Sequence, residues 1–198
     1  MKKLLTISVL TLLLITPSQA DDIRDFQIEG LSIGDSALDI QTKEVLEAKK
    51  KLPTSYYPNS KKFFTVSFGG TAFNFKTYEA LQLELKSKDN KYIIYSIMGK
   101  LYFPNNIKEC YKKQNEIAKE LSRMFNNVTR NDKGISIHGW DKSGKSTRRR
   151  ILFWFDDTKD YVKLVCNDWS DHLDNIDNLG VTINSGEFAE FLRNEAYK

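Results

Sequence analysis

The stretch LQLELKSKDNKYIIYSIMGKLYF, residues 81–103, contains two strand-like segments and the turn that joins them. Leucines alternate with polar residues from Leu81 to Lys86, which is the period of a half-buried β-strand. Lys88–Lys91 has the composition of a hairpin turn, and Tyr92–Phe103 predicts the returning strand. Because strands joined by a tight turn run antiparallel, this stretch predicts an antiparallel sheet.

An amphipathic helix is predicted directly after Pro104. Apolar residues recur there at steps of three and four while lysines and glutamates fill the other positions, so one side of the helix should lie on an apolar surface. The residues of this stripe are Ile107, Cys110, Tyr111, Gln114, Ile117, Ala118, Leu121, Met124 and Phe125.

Further elements are predicted on both sides of this helix. Strand-like patterns occupy Phe63–Phe68, Thr71–Phe75, Ile135–Trp140, Arg148–Phe155, Tyr161–Cys166 and Val181–Asn184. Capping residues predict two short helices, one from Asp35 or Ser36 to Ile40 and one over Lys43–Lys51, and a last helix after Ser185. The predicted fold class is α+β: an N-terminal helix pair, antiparallel sheet or sheets of about six to eight strands built from hairpins, one long amphipathic helix and a C-terminal helix packed on one face.

Residues 1–20 have the pattern of a secretory signal peptide. Two lysines precede the apolar segment Leu4–Ile15, which is short for a membrane span, since a spanning helix needs about twenty apolar residues. The small residues Ser18 and Ala20 predict cleavage after residue 20. An uncleaved anchor is the alternative. We expect a periplasmic or secreted protein with no transmembrane segment after cleavage.

Residues 21–198 should form a single α+β domain, or two half-units (21–103 and 104–198) that share a core. The chain has 30 basic and 26 acidic residues, and two of the basic residues belong to the leader. The mature protein should therefore be nearly neutral. For an exported chain this balance disfavours nucleic acid as a partner.

The two cysteines, Cys110 and Cys166, predict one disulfide bond. An even pair of cysteines in an oxidising compartment usually forms a structural bridge. Two buried free thiols are the alternative. Redox catalysis is disfavoured because the sequence contains no Cys-x-x-Cys motif.

Residues 26–36, FQIEGLSIGDS, together with Leu38 and Asp39, resemble the N-terminus of a group of uncharacterised small secreted bacterial proteins. This opening is also distantly similar to the helix-pair opening of BamE/SmpA-like envelope proteins. The resemblance implies a helix pair followed by an antiparallel sheet, as in β-lactamase-inhibitor-protein-like modules, and a non-enzymatic role. The chain lacks the lipid-bearing cysteine of the BamE type and is longer, and no binding residue carries over.

The segment Gly30–Gly34, GLSIG, matches the G-x-S-x-G pattern of a nucleophile elbow. In hydrolases of that type the elbow follows several strands of a parallel sheet, and nothing before Ser32 can build one. A turn in which the glycines supply backbone freedom is the interpretation we favour.

The densest acidic segment is Asp168–Asp177. Its residues Asp168, Asp171 and His172 are candidates for a small site, because carboxylates bind cations and a histidine beside an aspartate can exchange protons. The spacing does not fit an EF-hand, and a solvated loop is the favoured alternative. His138 has no ligand-like spacing to other residues, so we predict neither a metal site nor a cofactor.

Positive charge concentrates on one predicted hairpin. Its candidates for binding an anion or a partner are Lys142, Lys145, Arg148, Arg149 and Arg150. Because side chains alternate along a strand, Arg148 and Arg150 should point to one face and Arg149 to the other. The alternative is a charged hairpin end that protects the edge of a sheet.

The function that these patterns favour is an exported, non-catalytic module that binds a protein or an envelope component. The tryptophans Trp140, Trp154 and Trp169 are expected in the core of such a scaffold. The alternative is a small secreted hydrolase or metal-dependent enzyme that uses the Asp168–Asp177 loop. A third interpretation is a module that holds a ligand in a cavity between sheet and helices.

Overall fold

A single antiparallel sheet forms the centre of the computed structural model, which describes residues 22–69 and 75–198. Within these residues the sheet has eight strands: β1 (Tyr56–Tyr57), β2 (Ser60–Gly69), β3 (Ala80–Lys86), β4 (Ile94–Tyr102), β5 (Thr129–Ile137), β6 (Thr147–Trp154), β7 (Tyr161–Asp168) and β8 (Asn178–Asn184). The same residues contain three α-helices: α1 (Lys43–Lys50), α2 (Ile107–Met124) and α3 (Gly186–Asn194).

The strands lie in the order β1-β2-β3-β4-β8-β7-β6-β5. After β4, helix α2 carries the chain to the far edge of the sheet, and β5 to β8 return strand by strand. The last strand pairs with β4, where Gly99 lies opposite Val181. Strands from both halves of the chain therefore form one continuous sheet.

The face of the sheet covered by α1 and α2, called the packed face below, contains the main core. Alternation along neighbouring strands brings Leu83, Ile97, Ile183 and Val162 into one row across four strands. All four side chains are fully buried. Burial of each such side chain stabilises the folded state by roughly 1.5–3 kcal/mol.

Helix α2 is attached to the packed face by covalent and hydrogen bonds. Cys110 on α2 forms a disulfide bond with Cys166 on β7, so the predicted disulfide is confirmed. One turn further along, the buried Gln114 donates from Nε2 to the backbone carbonyls of Arg149 and Leu164, at 2.9 and 3.1 Å. These contacts hold α2 across β6 and β7.

Helix α3 packs on the other side of the sheet, called the opposite face below. The Phe63 ring contacts Phe188 and Phe191 of α3, with ring centroids 5.2 and 4.8 Å apart. Tyr57 and Tyr95 complete this second, smaller core. Its residues come from β1, β2, the start of β4 and the C-terminal segment, so α3 covers one end of the opposite face.

The prediction that the helices pack on one face is wrong. Phe63 and Phe64 are adjacent in β2, so they point to opposite faces, and both are fully buried. A strand with large apolar side chains on both faces needs cover on both. In this fold α1 and α2 supply that cover on the packed face, and α3 supplies it on the opposite face.

The predicted N-terminal helix pair is also wrong. Residues 34–37 pair with the chain at the start of β4, where the Gly34 N–H donates to the Ile94 carbonyl and the Ala37 N–H to the Tyr92 carbonyl, each at 2.9 Å. Backbone groups used in this way cannot form a helix, and only the single 3₁₀ turn Ala37–Asp39 follows. The fold has one α-helix, not two, before the sheet in its described residues.

No helix within residues 22–69 and 75–198 has both the length and the apolar character of a membrane span. The predicted signal peptide and nearly all of the predicted strand over residues 71–75 lie outside the described residues.

Candidate anion-binding groove

The five basic residues of the predicted hairpin separate into three groups. Lys142 and Lys145 are exposed in the turn between β5 and β6. Arg149 points to the packed face, where its guanidinium donates to Asn115 Oδ1 at 2.8 Å and to Asp132 Oδ2 at 2.7 Å. Arg148 and Arg150 point to the opposite face. The structure therefore leaves two of the five facing a common surface.

A groove of about 480 Å³ lies on the part of the opposite face that α3 leaves uncovered. Arg148 and Arg150 line it from β6, Lys163 from β7 and Lys100 from β4. At its floor Gly180 lies opposite Lys100 on one side and Val165 on the other. The Met98 side chain of β4 packs over Gly180, with its Sδ 3.3 Å from the position that a Cβ on Gly180 would take.

The four cations of the groove have no acidic partner among the described residues, whose ion pairs all lie elsewhere. Burial lowers the pKa of Lys163, and the charges of Arg150 and Arg148 lower it further. Burial lowers the pKa of Lys100 as well, and burial with the Arg150 charge lowers that of Arg148. The fold thus holds like charges together in a partly desolvated place, at an energetic cost that a bound anion would reduce.

Polar atoms without a hydrogen-bond partner in the described part of the chain concentrate on the same face. They include Nε of Arg148, Nε of Arg150 and Oγ1 of Thr182, all of which are buried. Thr182 is only 5% exposed and lines the groove next to Lys163. Buried polar groups in folded proteins are almost always hydrogen-bonded, so the desolvation of these atoms adds to the energetic cost of this surface.

Aromatic rings form one end of the groove. The His138 ring packs on Trp169, with centroids 4.3 Å apart, and lies edge-on to Trp140 at 6.2 Å. Trp140 is 82% exposed. The prediction that Trp140 belongs to the core is therefore wrong, because its backbone lies in the turn beyond β5 and its side chain faces the groove. Exposed tryptophan is frequent at binding surfaces.

The acidic loop forms a bracing network beside the groove. The His172 Nδ1 lies 2.8 Å from Ser170 Oγ, and His172 Nε2 lies 3.4 Å from Asp141 Oδ1. The Ser170 hydroxyl donates to the buried Asp141 carboxylate, which also accepts from the N–H and hydroxyl of Ser146. A serine whose proton is already directed to a carboxylate ties the loop to the β5–β6 turn.

In the described part of the chain, Asp168 and Asp171 form no hydrogen bond with His172. Asp168 accepts a hydrogen bond from the Thr147 hydroxyl at 3.1 Å, and Asp171 is exposed. A second depression, of about 530 Å³, contacts Asp168 and Asp171 but not His172. Among residues 22–69 and 75–198, no three His, Cys, Asp or Glu side chains group as metal ligands do.

Ser32 of the G-x-S-x-G segment is 3% exposed. Its hydroxyl donates to the Phe26 carbonyl at 3.0 Å, and its N–H donates to the Asp35 carboxylate at 2.7 Å. Gly30 and Gly34 have positive φ angles of 81° and 94°, as a tight turn requires. The serine is therefore a structural part of a turn.

Sequence reasoning missed Lys100 and Lys163 as partners of the arginines. Each is the one charged residue in a largely apolar segment, residues 97–101 for Lys100 and residues 161–166 for Lys163, and this is the signal that could have identified them. Their meeting depends on the pairing of β4 with β8, which joins segments far apart in the chain.

Comparison with protein-family models, with curated proteins and with solved structures gives no match for this chain. The resemblance to BamE/SmpA-like proteins stays a prediction.

Proposed function

We propose that this protein is an exported, non-catalytic binding module that holds an anionic envelope component in the groove on the opposite face of its sheet. The observation that carries the proposal is the set Lys100, Arg148, Arg150 and Lys163, four cations on one concave surface without an acidic partner in the described residues. Export is supported by the disulfide bond, which is compatible with an oxidising compartment.

Binding rather than catalysis is supported by the type of groups in the groove. Lysine and arginine donate hydrogen bonds and attract negative charge, and the arginines cannot accept a proton at ordinary pH. The strands that carry these lysines and arginines form backbone hydrogen bonds with a neighbouring strand on each side. The cations are therefore positioned before a ligand arrives. A preorganised cationic surface of this kind selects for charge.

The proposal is tested by titrating the protein with inorganic pyrophosphate and polyphosphate while following tryptophan fluorescence, since Trp140 and Trp169 line the groove. The double variant Arg150→Gln/Lys163→Gln should weaken binding at least about tenfold, because each lost charge-assisted hydrogen bond contributes roughly 1.5–3 kcal/mol. Raising the salt concentration should also weaken the binding of wild type.

The matched control is Lys142→Gln/Lys145→Gln, which removes the same charge from the exposed turn between β5 and β6, outside the groove. This control should bind as wild type does. Equal losses in the two double variants would show that the anions respond to overall charge, and the proposed site would then be abandoned.

A further inference from the structure

The groove has two chemically different ends. Its cationic end contains Arg150, Lys163 and Lys100, and its aromatic end contains Trp140 and Trp169 with His138 between them. Arg148 links the ends, since it lines the groove and its charge acts on His138. A small inorganic anion would use the cationic end alone, so the aromatic end indicates a larger ligand.

Next to Arg148 the groove contains an asparagine pair that can form hydrogen bonds with a ligand. Asn167 donates from Nδ2 to Asn178 Oδ1 at 3.0 Å, and both amides line the groove. Asn167 lies opposite Arg148 in the sheet register. Asn178 Nδ2 in turn donates to the Ile176 carbonyl at 2.8 Å, which fixes the Asn167 amide in position.

We propose that the ligand is an anionic saccharide, which deepens the proposed function and rests on it. One sugar ring lies with its C–H face against the exposed indole of Trp140. Its hydroxyls meet the amide of Asn167, and its carboxylate or phosphate lies on Arg148, Arg150 and Lys163. Sugars combine an apolar face with polar edges, as the indole and amide groups do here.

The position of the groove on the sheet favours a saccharide over a peptide. An extended peptide binds a sheet by adding to an edge strand, where backbone groups are free. The groove lies on the face of β4, β8, β7 and β6, whose backbone groups already pair with neighbouring strands on both sides. Recognition there uses side chains alone.

Calorimetry tests the inference with the intact mature protein. The probes are a hexuronate oligomer, a phosphorylated hexose oligomer, a neutral hexose oligomer of the same length, and inorganic pyrophosphate. One charged oligomer at least should bind more tightly than the neutral oligomer and than pyrophosphate. The better of the two charged oligomers identifies carboxylate or phosphate as the acidic group.

Variants separate the two ends. Trp140→Ala should lower the affinity for the charged oligomer at least about fivefold, as truncation of a central contact residue does. The affinity for pyrophosphate should stay unchanged. Arg150→Gln should lower the affinity for both the charged oligomer and pyrophosphate. The control Ile137→Ala removes an apolar side chain that is 64% exposed and lies outside the groove. It should change neither the affinity for the charged oligomer nor that for pyrophosphate.

Two kinds of result overturn the inference while the proposed function stands. One is tight binding of pyrophosphate while neither charged oligomer binds more tightly than pyrophosphate does. The other is tighter binding of an acidic peptide or a short single-stranded oligonucleotide than of both charged oligomers. Absence of binding by every anion, pyrophosphate included, overturns the proposed function itself.

Discussion

Glu84 is the most deeply buried carboxyl group on the opposite face, with 3% of its surface exposed. It accepts hydrogen bonds from the Thr65 hydroxyl at 3.0 Å and from Gln82 Nε2 at 2.9 Å. Burial raises its pKa to about 7, and the hydrogen bonds from Gln82, Thr65 and Tyr57 offset this effect only in part. The folded state therefore binds a proton at Glu84 more strongly than the unfolded chain does.

This binding makes stability depend on pH. The contribution of Glu84 is fully present below its ordinary pKa of 4.5 and is lost as the pH rises through about 7. Glu84→Gln keeps the shape and removes the titration. The free energy of unfolding of the variant, relative to wild type, should rise by about 3 kcal/mol between pH 4.5 and pH 8.

Denaturant unfolding over this pH range measures the difference. Glu120→Gln is the control, because Glu120 is exposed on α2 and forms no ion pair among the described residues. Its difference from wild type should stay constant. A constant difference for Glu84→Gln as well would mean that folding does not raise the pKa of Glu84.

At the scale of elements, the disulfide bond decides how firmly α2 is held. Cys110 and Cys166 are 56 residues apart, and closing a loop of this length stabilises the folded state by about 4 kcal/mol on the chain-entropy estimate. The free energy of unfolding of the double variant Cys110→Ala/Cys166→Ala should be lower than that of wild type by about 4 kcal/mol.

Chemical denaturation of wild type with and without a reducing agent provides the comparison. Reduced wild type should approach the double variant, and the double variant should not respond to the reducing agent. A reduced wild type as stable as the oxidised protein would show that the packing of α2 suffices without the bridge.

Local patterns predicted single elements better than their arrangement. The apolar stripe after Pro104 locates α2, because a 3.6-residue period sustained over five turns is typical of a helix that buries one side. The segment around Ser36 also carries helix-start signals, yet its backbone pairs with Ile94 and Tyr92. No local pattern reveals such a distant competitor for the same N–H groups.

Local patterns also could not predict which face of the sheet α3 covers. Its own stripe of Phe188 and Phe191 shows which side of the helix is buried. Which face of the sheet receives that side depends on Phe63, more than a hundred residues earlier in the chain. The sequence shows both apolar surfaces but not that they meet.

At the scale of the whole molecule, the two faces of the sheet have different roles. The packed face is covered by α1 and α2 and contains the main core. The opposite face is covered by α3 at one end and carries the groove on the rest. The sequence alone places Arg148 and Arg150 on a common face, because side chains alternate along one strand. That Lys100 and Lys163 lie beside them can be seen only from the strand order.

We propose that the cations of the groove serve a ligand and not the fold. Lys163 is the cation whose charge should oppose folding most directly, because it is desolvated and lies near Arg150 and Arg148. Lys163→Met keeps the apolar length of the side chain and removes the charge. Residues kept for binding are often replaced with a gain in stability and a loss of function.

The most direct test is the free energy of unfolding of Lys163→Met and of wild type, each measured with and without inorganic pyrophosphate. Without the anion, the variant should be more stable than wild type by about 1 kcal/mol. With the anion, wild type should gain stability through binding to the folded state, while the variant gains little. A variant less stable than wild type without the anion would show that the Lys163 charge stabilises the fold, and an equal gain for both proteins would show that Lys163 does not bind the anion.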